Sequence, residues 1–210
     1  MKHIKTYHKS TYTFNDRELI IEGPVDGHTL QKYTFDKGLV AFRRPDEQFE
    51  AIIEIADLEE GRIIICRDGI NIIGYTTYLY PDPLERWSNG NLEFILELGA
   101  IEISKDYRAL GLGSEMLRVA MMDDAMEDFI VITTEYYWHW DLKNSGLDVF
   151  QYKEIMQKMM GSCGMKVFST NDPEITSHPA NSLMARIGKR INNEQIQAFD
   201  NLRFLNRFFL

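Results

Sequence analysis

The stretch LGAIEISKDYRALGLGSEML, residues 98–117, joins a predicted strand to a predicted helix. Within it, Arg108, Gly111 and Gly113 form the pattern RxxGxG at the point where the helix begins. Glycine lets another molecule approach the backbone closely, and the first turn of a helix carries N–H groups that have no acceptor within the helix. The positive end of the helix dipole also attracts negative groups. The sequence therefore predicts that this loop can cradle an anion.

Two well-known phosphate loops do not fit this stretch. In a Walker loop, Lys and then Ser or Thr follow the second glycine, whereas Ser114 and Glu115 follow Gly113 here. A dinucleotide-binding turn needs a third glycine where Met116 stands, although Glu135, 22 residues after Gly113, has about the spacing of a ribose-binding carboxylate. A plain loop that enters a helix and binds nothing stays open as a further alternative.

The elements around the loop predict an α+β fold. Apolar β-forming runs at 61–66 and 70–80 flank Arg67, Asp68 and Gly69, which predicts a hairpin with a DG turn. Before it, apolar residues at helical spacing predict a helix that begins near Asp46, as its N-cap, and ends near Leu58. The complete predicted order is strand, helix, three strands, helix, strand, helix, strand, strand. This order combines hairpins with one crossover, so we expect a mixed sheet flanked by helices.

The composition limits the possible partners. Of the 210 residues, 44% are hydrophobic and 26% charged, which is typical of a folded protein, and the net charge of −9 disfavours binding to nucleic acid. No apolar run approaches the roughly 20 residues that span a bilayer, and the start MKHIKTYHKS lacks the apolar core of a signal peptide. Cys66 and Cys163 form no metal or disulfide pattern. We therefore expect a cytoplasmic protein that does not bind membranes.

The loop and the order of elements together resemble the GNAT acetyltransferase superfamily, whose signature Q/RxxGxG/A follows its fourth strand. The resemblance implies acetyl-CoA as co-substrate and no metal; His139 and His178 are too far apart in sequence to suggest a metal site. Backbone N–H groups of the loop would hold the CoA pyrophosphate, and the strand before it would pair with the pantetheine amides. The residues so implied for acetyl-CoA binding are Ile101, Ile103, Arg108, Leu110, Gly111, Leu112, Gly113 and Ser114.

The chain is expected to divide into an N-terminal arm at 1–18, a GNAT domain at 19–190 and a C-terminal helix within 191–210. In that helix an apolar residue recurs every three positions, and three more apolar residues follow it. Such a stripe must be covered, either by the chain's own sheet or by a protein substrate. The stripe consists of Ile196, Phe199, Leu202 and Leu205, followed by Phe208, Phe209 and Leu210.

Transfer of an acetyl group to an amine calls for a base, because at pH 7 only roughly one lysine side chain in two thousand is neutral. Glu97 lies eleven residues before Arg108, the separation that histone-type GNAT enzymes use for their strand glutamate. Glu102 is the second candidate, and strand alternation places it on the face opposite Glu97 unless a bulge at Gly99 changes the parity.

The resemblance also implies a tyrosine that protonates the departing CoA thiolate. Tyr152, early in the helix after the fifth strand of the family pattern, is the candidate, with Tyr136 and Tyr137 as alternatives. The usual YxxxGF ending is absent here, since twelve residues separate Tyr152 from Gly164.

Three further segments resemble one branch of the superfamily: YLYPDPLERW at 78–87, TTEYYWHWDLK at 133–143 and SHPANSLMARIGK at 177–189. That branch acts in acetoin utilization, and the resemblance implies an enzyme that acetylates a lysine of acetyl-CoA synthetase and so inactivates it. An acetyltransferase of a small amine and a non-catalytic module that senses acyl-CoA and regulates a partner are the alternatives.

Overall fold

The computed structural model describes residues 2–205. The chain forms two compact units. The first contains the residues up to Tyr80 together with Glu97–Met126, and the second contains Pro81–Leu96 together with the chain from Glu127 onward.

The first unit is built on a mixed sheet. Its strands are ordered β1-β2-β4-β5-β6 and run antiparallel to their neighbours, while the short β3 pairs in parallel with β5. The predicted DG hairpin is confirmed as β4 and β5, with Gly69 at φ +59° in the turn. The strands are β1 His8–Phe14, β2 Arg17–Gly23, β3 Thr34–Phe35, β4 Arg62–Asp68, β5 Asn71–Leu79 and β6 Ile95–Ile103, the last beginning in the second unit.

Helices pack on both faces of this sheet. The helices are α1 Gly27–Leu30, α2 Pro45–Asp57 and α3 Leu112–Ala120. Buried Leu30 and Ile52 bring α1 and α2 against Ile63, Ile65 and Tyr75 on one face. On the opposite face α3 comes so close to β5 that a Cβ at Gly74 would lie 3.4 Å from Met116 Cε.

Two expectations for this unit are wrong. Residues 8–14, expected within an arm, form strand β1, because Asn15 and Asp16 adopt positive φ angles of 46° and 59° and turn the chain back onto β2. Paired positive φ values suit the right-handed twist of a hairpin. Asp46 is not the N-cap of α2; Arg44 holds that position and Pro45 begins the helix, where a missing N–H does no harm.

A buried carboxylate ties the edge of this sheet together. Glu22 on β2 accepts hydrogen bonds from the Tyr7 hydroxyl, the Tyr33 hydroxyl (3.0 Å) and Arg67 Nε (2.6 Å). Burial by itself would raise the pKa of the Glu22 carboxyl, but the bonds from Arg67 and Tyr7 outweigh burial and hold that pKa below its usual value. The ionised form is therefore favoured in the folded protein.

This network predicts how stability depends on pH. Because the folded-state pKa of Glu22 is depressed, its contribution is present above the unfolded pKa of about 4.3 and is lost as the pH falls through the folded value. Urea unfolding between pH 3 and pH 7 should show that Glu22→Gln flattens the acid-side loss of unfolding free energy. Glu18→Gln, an exposed change on the same strand, serves as the control. Equal pH slopes for wild type and Glu22→Gln would contradict this account.

The strands of the second unit follow the order β7-β9-β8, and each runs antiparallel to its neighbour. Asp148 and Asn192 cap its two longest helices, each in a reciprocal capping box. The elements are β7 Ile130–Glu135, α4 Leu142–Ser145, α5 Val149–Gly161, β8 Lys166–Phe168, α6 Pro173–Thr176, β9 Ser182–Ile187 and α7 Asn193–Arg203.

The apolar stripe of α7 is covered by the chain itself. Phe199 and Leu202 are buried in a cluster with Trp87, Ile130 and Leu183, which confirms packing on the chain's own sheet and makes the docking alternative wrong for these two residues. The end of α7 is also held by Arg86, whose Nη1 donates to the carbonyls of residues 202 and 203. The sequence after Leu205, including Phe208, Phe209 and Leu210, lies outside the described residues.

This packing predicts that α7 is required for folding. Truncation after Asn192 should abolish the cooperative unfolding transition of the second unit, and Phe199→Ala should lower the free energy of unfolding by about 3–5 kcal/mol, the usual cost of deleting a buried ring. Urea unfolding followed by circular dichroism measures both. Gln197→Ala, on the exposed side of α7, provides the control. A truncated chain that unfolds like wild type would show that α7 is no part of the core.

Candidate active site and acetyl-CoA loop

A one-residue bulge sets the geometry of β6. Thr77 pairs with Ala100 and Tyr78 pairs with Leu98, so Gly99 has no partner on β5. A Cβ at Gly99 would lie 3.3 Å from Leu79 Cδ2 and 3.4 Å from Thr77 Oγ1, which explains why glycine suits this position. The bulge that sequence reasoning considered at this position is present.

The bulge brings the two candidate carboxylates to one face. Glu97 pairs with Leu79 and Glu102 pairs with Tyr75, and alternation along β5 puts those two partners on the same side of the sheet. Simple alternation along β6 would have separated Glu97 from Glu102. The prediction of opposite faces holds only for an unbroken strand, and the residue that Gly99 adds to β6 changes the parity as the sequence analysis allowed.

Glu102 is buried and occupied by internal hydrogen bonds. Only 4% of the residue is exposed. One carboxylate oxygen accepts from the Tyr75 hydroxyl (2.9 Å), and the other accepts from the Ala41 N–H (2.7 Å) in the segment before α2. Burial and the neighbouring Glu102 raise the pKa of the Tyr75 phenol, so Tyr75 stays a hydrogen-bond donor. Glu97, by contrast, is only partly buried.

The loop after β6 is held in place at its start. Ser104 N–H donates to the carbonyl of Ile73 (2.8 Å), and Ser104 Oγ donates to Asp36 (2.8 Å). The Tyr107 hydroxyl donates to Asp68 (3.0 Å), and Arg108 Nε donates back to the carbonyl of Ile103 (3.2 Å). These bonds fix the chain before the glycines, so the loop needs little rearrangement to accept a ligand.

The glycine end of the loop is open. Ala109 and Gly111 both have positive φ, 63° and 76°, and Gly111 is the N-cap of α3. No atom lies within 4 Å of the position of a Cβ at Gly111. The first N–H groups of α3, beginning with Leu112, Gly113 and Ser114, have no acceptor within the helix. The residues present therefore fit a pyrophosphate, which needs close backbone approach and several N–H donors.

The structure brings together most of the predicted site residues. Glu97, Glu102 and the whole loop, including Ile101 and Ile103 at the end of β6, belong to the first unit. Tyr152 belongs to the second unit, on the first turn of α5. Its ring stacks on Trp140, with centroids 5.2 Å apart and ring planes at 18°.

The sequence did not predict the burial of Glu135. Glu135, at the end of β7, is 9% exposed and accepts a hydrogen bond from Trp140 Nε1 (3.0 Å). Burial raises the pKa of the Glu135 carboxyl, against the opposing effect of hydrogen bonds from Trp140 and Thr133. The sequence indicates for Glu135 only the spacing of a ribose-binding carboxylate, because the close approach of Trp140 depends on the tertiary structure.

Comparison with known proteins places the chain in a family. Residues 29–144 match the Acetyltransferase (GNAT) family. The chain belongs to this family and is an acetyl-CoA-dependent N-acetyltransferase with the GNAT fold, as its sequence predicts.

Its relatives include curated proteins that match almost end to end. The acetoin utilization proteins AcuA of Bacillus subtilis (strain 168) and Bacillus licheniformis are 57% and 54% identical over 208 residues, covering 99% of this chain and of each relative. The crystal structure of an acetoin utilization protein from Exiguobacterium sibiricum 255-15 is 55% identical, with a TM-score of 0.95, and covers 98% of this chain and 97% of that chain. An acetyltransferase of the GNAT family from Streptococcus pneumoniae, 16% identical with a TM-score of 0.51 over 81% of this chain and 99% of that chain, shares the fold.

The described residues contain neither a metal-binding cluster nor a membrane-spanning helix. Within residues 2–205 no group of three or more His, Cys, Asp or Glu side chains is arranged to hold a metal ion. Over the same residues, every helix is too short or too polar to cross a membrane.

The open glycine loop predicts a specific loss of CoA affinity. Gly113→Val places a branched side chain in the first turn of α3, where the pyrophosphate must approach the backbone. The affinity for CoA should therefore fall by about tenfold or more, which corresponds to the loss of at least one hydrogen bond to a charged group. Titration calorimetry measures this affinity. Gly161→Val, at the exposed end of α5 where a Cβ meets no atom within 4 Å, is the matched control.

Because Gly113 is buried, the CoA affinity of Gly113→Ala, which adds only a methyl group, is measured alongside that of Gly113→Val. A folded Gly113→Val protein that binds CoA with wild-type affinity would contradict the assignment of the loop.

Proposed function

We propose that the protein transfers the acetyl group of acetyl-CoA to a lysine of acetyl-CoA synthetase, and so inactivates that enzyme, in cytoplasmic acetoin utilization. The observation that carries the chemistry is a partly buried carboxylate, Glu97, on the strand that leads directly into the open glycine loop. The likeness to acetoin utilization proteins over 99% of the chain supports the metabolic setting. The protein acceptor rests on the resemblance of the sequence to that branch.

Glu97 is the better candidate for the general base. A base must present an oxygen to the amine whose proton it takes. Both oxygens of Glu102 already accept bonds from Tyr75 and Ala41, whereas Glu97 is more accessible to solvent. We assign Glu97 to proton removal and Glu102 to holding the segment before α2.

Direct transfer needs no covalent enzyme intermediate. Burial raises the pKa of the Cys66 thiol to about 12 and also raises that of Cys163, so both sulfurs are poor nucleophiles. In the proposed step the lysine amine loses a proton to Glu97 and its nitrogen bonds to the acetyl carbon. The C–S bond then breaks, and the CoA thiolate takes a proton from a phenol, for which Tyr152 is the candidate. The second proton that the nitrogen loses as the amide forms restores the phenol.

The proton transfer predicts the effect of removing the base. Glu97→Gln keeps the size of the side chain but cannot accept the proton, so kcat near neutral pH should fall by about two to four orders of magnitude. Raising the pH should restore part of the rate because more of the amine is then neutral. Glu93→Gln, an exposed change just before the same strand, is the control. If Glu97→Gln keeps full turnover while Glu102→Gln loses it, the base is Glu102.

The acceptor is tested with the purified chain and acetyl-CoA, offered either purified acetyl-CoA synthetase or a panel of small amines. We expect mass spectrometry to find one acetylated lysine on the synthetase and its activity to fall with the extent of modification. Glu97→Gln serves as the negative control. Acetylation of amines alone would support the small-molecule alternative, and acetyl-CoA binding without any transfer would support a sensing module.

A further inference from the structure

The second unit contains a chain of contacts that begins at a buried acid. Glu135 ends β7, with one carboxyl oxygen 3.0 Å from Trp140 Nε1 and the other 3.4 Å from Thr133 Oγ1. An indole N–H can only donate, so the direction of the first bond is certain. A buried carboxyl group without hydrogen-bond partners would be strongly destabilising. Because breaking the bond to Trp140 would leave the Glu135 carboxyl with one partner fewer, the bond also holds the indole in place.

The contacts continue from Trp140 to Tyr152. The two rings are stacked, with planes at 18° and centroids 5.2 Å apart. Trp140 closes the short turn of residues 137–139, and Tyr152 lies on the first turn of α5, whose start is fixed by the Asp148 cap. The indole is thus held at its N–H by a strand residue and at its face by a helix residue. An indole held at both places limits how far the stacked Tyr152 ring can tilt.

We propose that Glu135 and Trp140 are positioning residues that set the orientation of the Tyr152 phenol. This inference rests on the proposed function, in which Tyr152 protonates the departing thiolate. In this proposal the Glu135 carboxyl acts on the reaction only through Trp140. It holds the indole N–H, and the indole face in turn holds the phenol ring.

A purely structural role makes a different prediction. If Trp140 only stabilised the segment 136–148, changing Trp140 and changing Tyr152 would act independently. The free-energy effects of the two changes on kcat would then add. If Trp140 acts through Tyr152, its effect should disappear once the phenol oxygen is gone. A double-mutant cycle separates these two cases.

The cycle uses Trp140→Phe, which keeps an aromatic ring but removes the N–H, and Tyr152→Phe, which keeps the stack but removes the hydroxyl. With acetyl-CoA and the purified synthetase, we expect kcat to fall about a hundredfold in Tyr152→Phe, within the range for a general acid. Trp140→Phe should lower kcat about tenfold, while the KM for acetyl-CoA stays within about twofold. The double variant should be no slower than Tyr152→Phe.

Two further variants sharpen the test. Glu135→Gln keeps an oxygen that can accept from Trp140 and should lose less activity than Glu135→Leu, which cannot accept at all. Trp138→Phe is the matched control, because Trp138 is 49% exposed and stacks on Tyr136 rather than on Tyr152. Any effect of Trp138→Phe should add to that of Tyr152→Phe. Equal losses from Trp140→Phe in the wild-type and Tyr152→Phe backgrounds would overturn the proposal.

An NMR measurement tests the contacts without any activity. The indole N–H resonance of Trp140, assigned by its loss in Trp140→Phe, should shift in Glu135→Gln and in Tyr152→Leu. A resonance unmoved by both changes would overturn the proposal. If the wild-type chain acetylates nothing, the proposed function fails and the proposal with it, whereas transfer that is insensitive to Tyr152→Phe removes only the positioning role.

Discussion

The extra residue at Gly99 in β6 is the constraint on which the candidate site depends. Without it, Glu97 and Glu102 would lie on opposite faces of the sheet, and only one of them could share a face with Tyr75. With it, both carboxylates lie on the side where α1 and α2 pack. Because a side chain at Gly99 would crowd Leu79 and Thr77, the bulge and the glycine belong together.

Two carboxylates on one face then differ through their surroundings alone. Glu102 is buried, holds two internal donors and anchors the backbone at Ala41. Glu97 remains partly accessible and is the proposed base. In the second unit, burial again defines the role of an acid, since Glu135 is excluded from water and bonded to Trp140. The donors around each glutamate thus separate three roles: Glu97 is the proposed base, Glu102 binds the backbone at Ala41, and Glu135 binds the Trp140 indole.

Local sequence predicted the features that depend on local chemistry. The DG hairpin, the RxxGxG loop before a helix and the helix that carries Tyr152 follow from residues close together in the chain. The bulge could be considered from Gly99 but not assigned, because its position depends on the partner strand. Strand β1 was missed because its residues are mostly polar, and the signal that could have revealed it is the Asn15–Asp16 turn. The contact between Glu135 and Trp140 and the burial of Phe199 come from tertiary packing, which no local pattern encodes.

The central claim is that β6 and the loop after it form the acetyl-CoA site, and a crystal structure of the protein with bound CoA tests it most directly. The account predicts that pyrophosphate oxygens accept hydrogen bonds from backbone N–H groups between Leu110 and Ser114, and that pantetheine amides pair with Ile101 and Ile103. The first unit also has an open cavity of about 670 Å³ lined in part by Lys37 and Lys105. A pyrophosphate held in that cavity by the two lysines, with the glycine loop empty, would contradict the account.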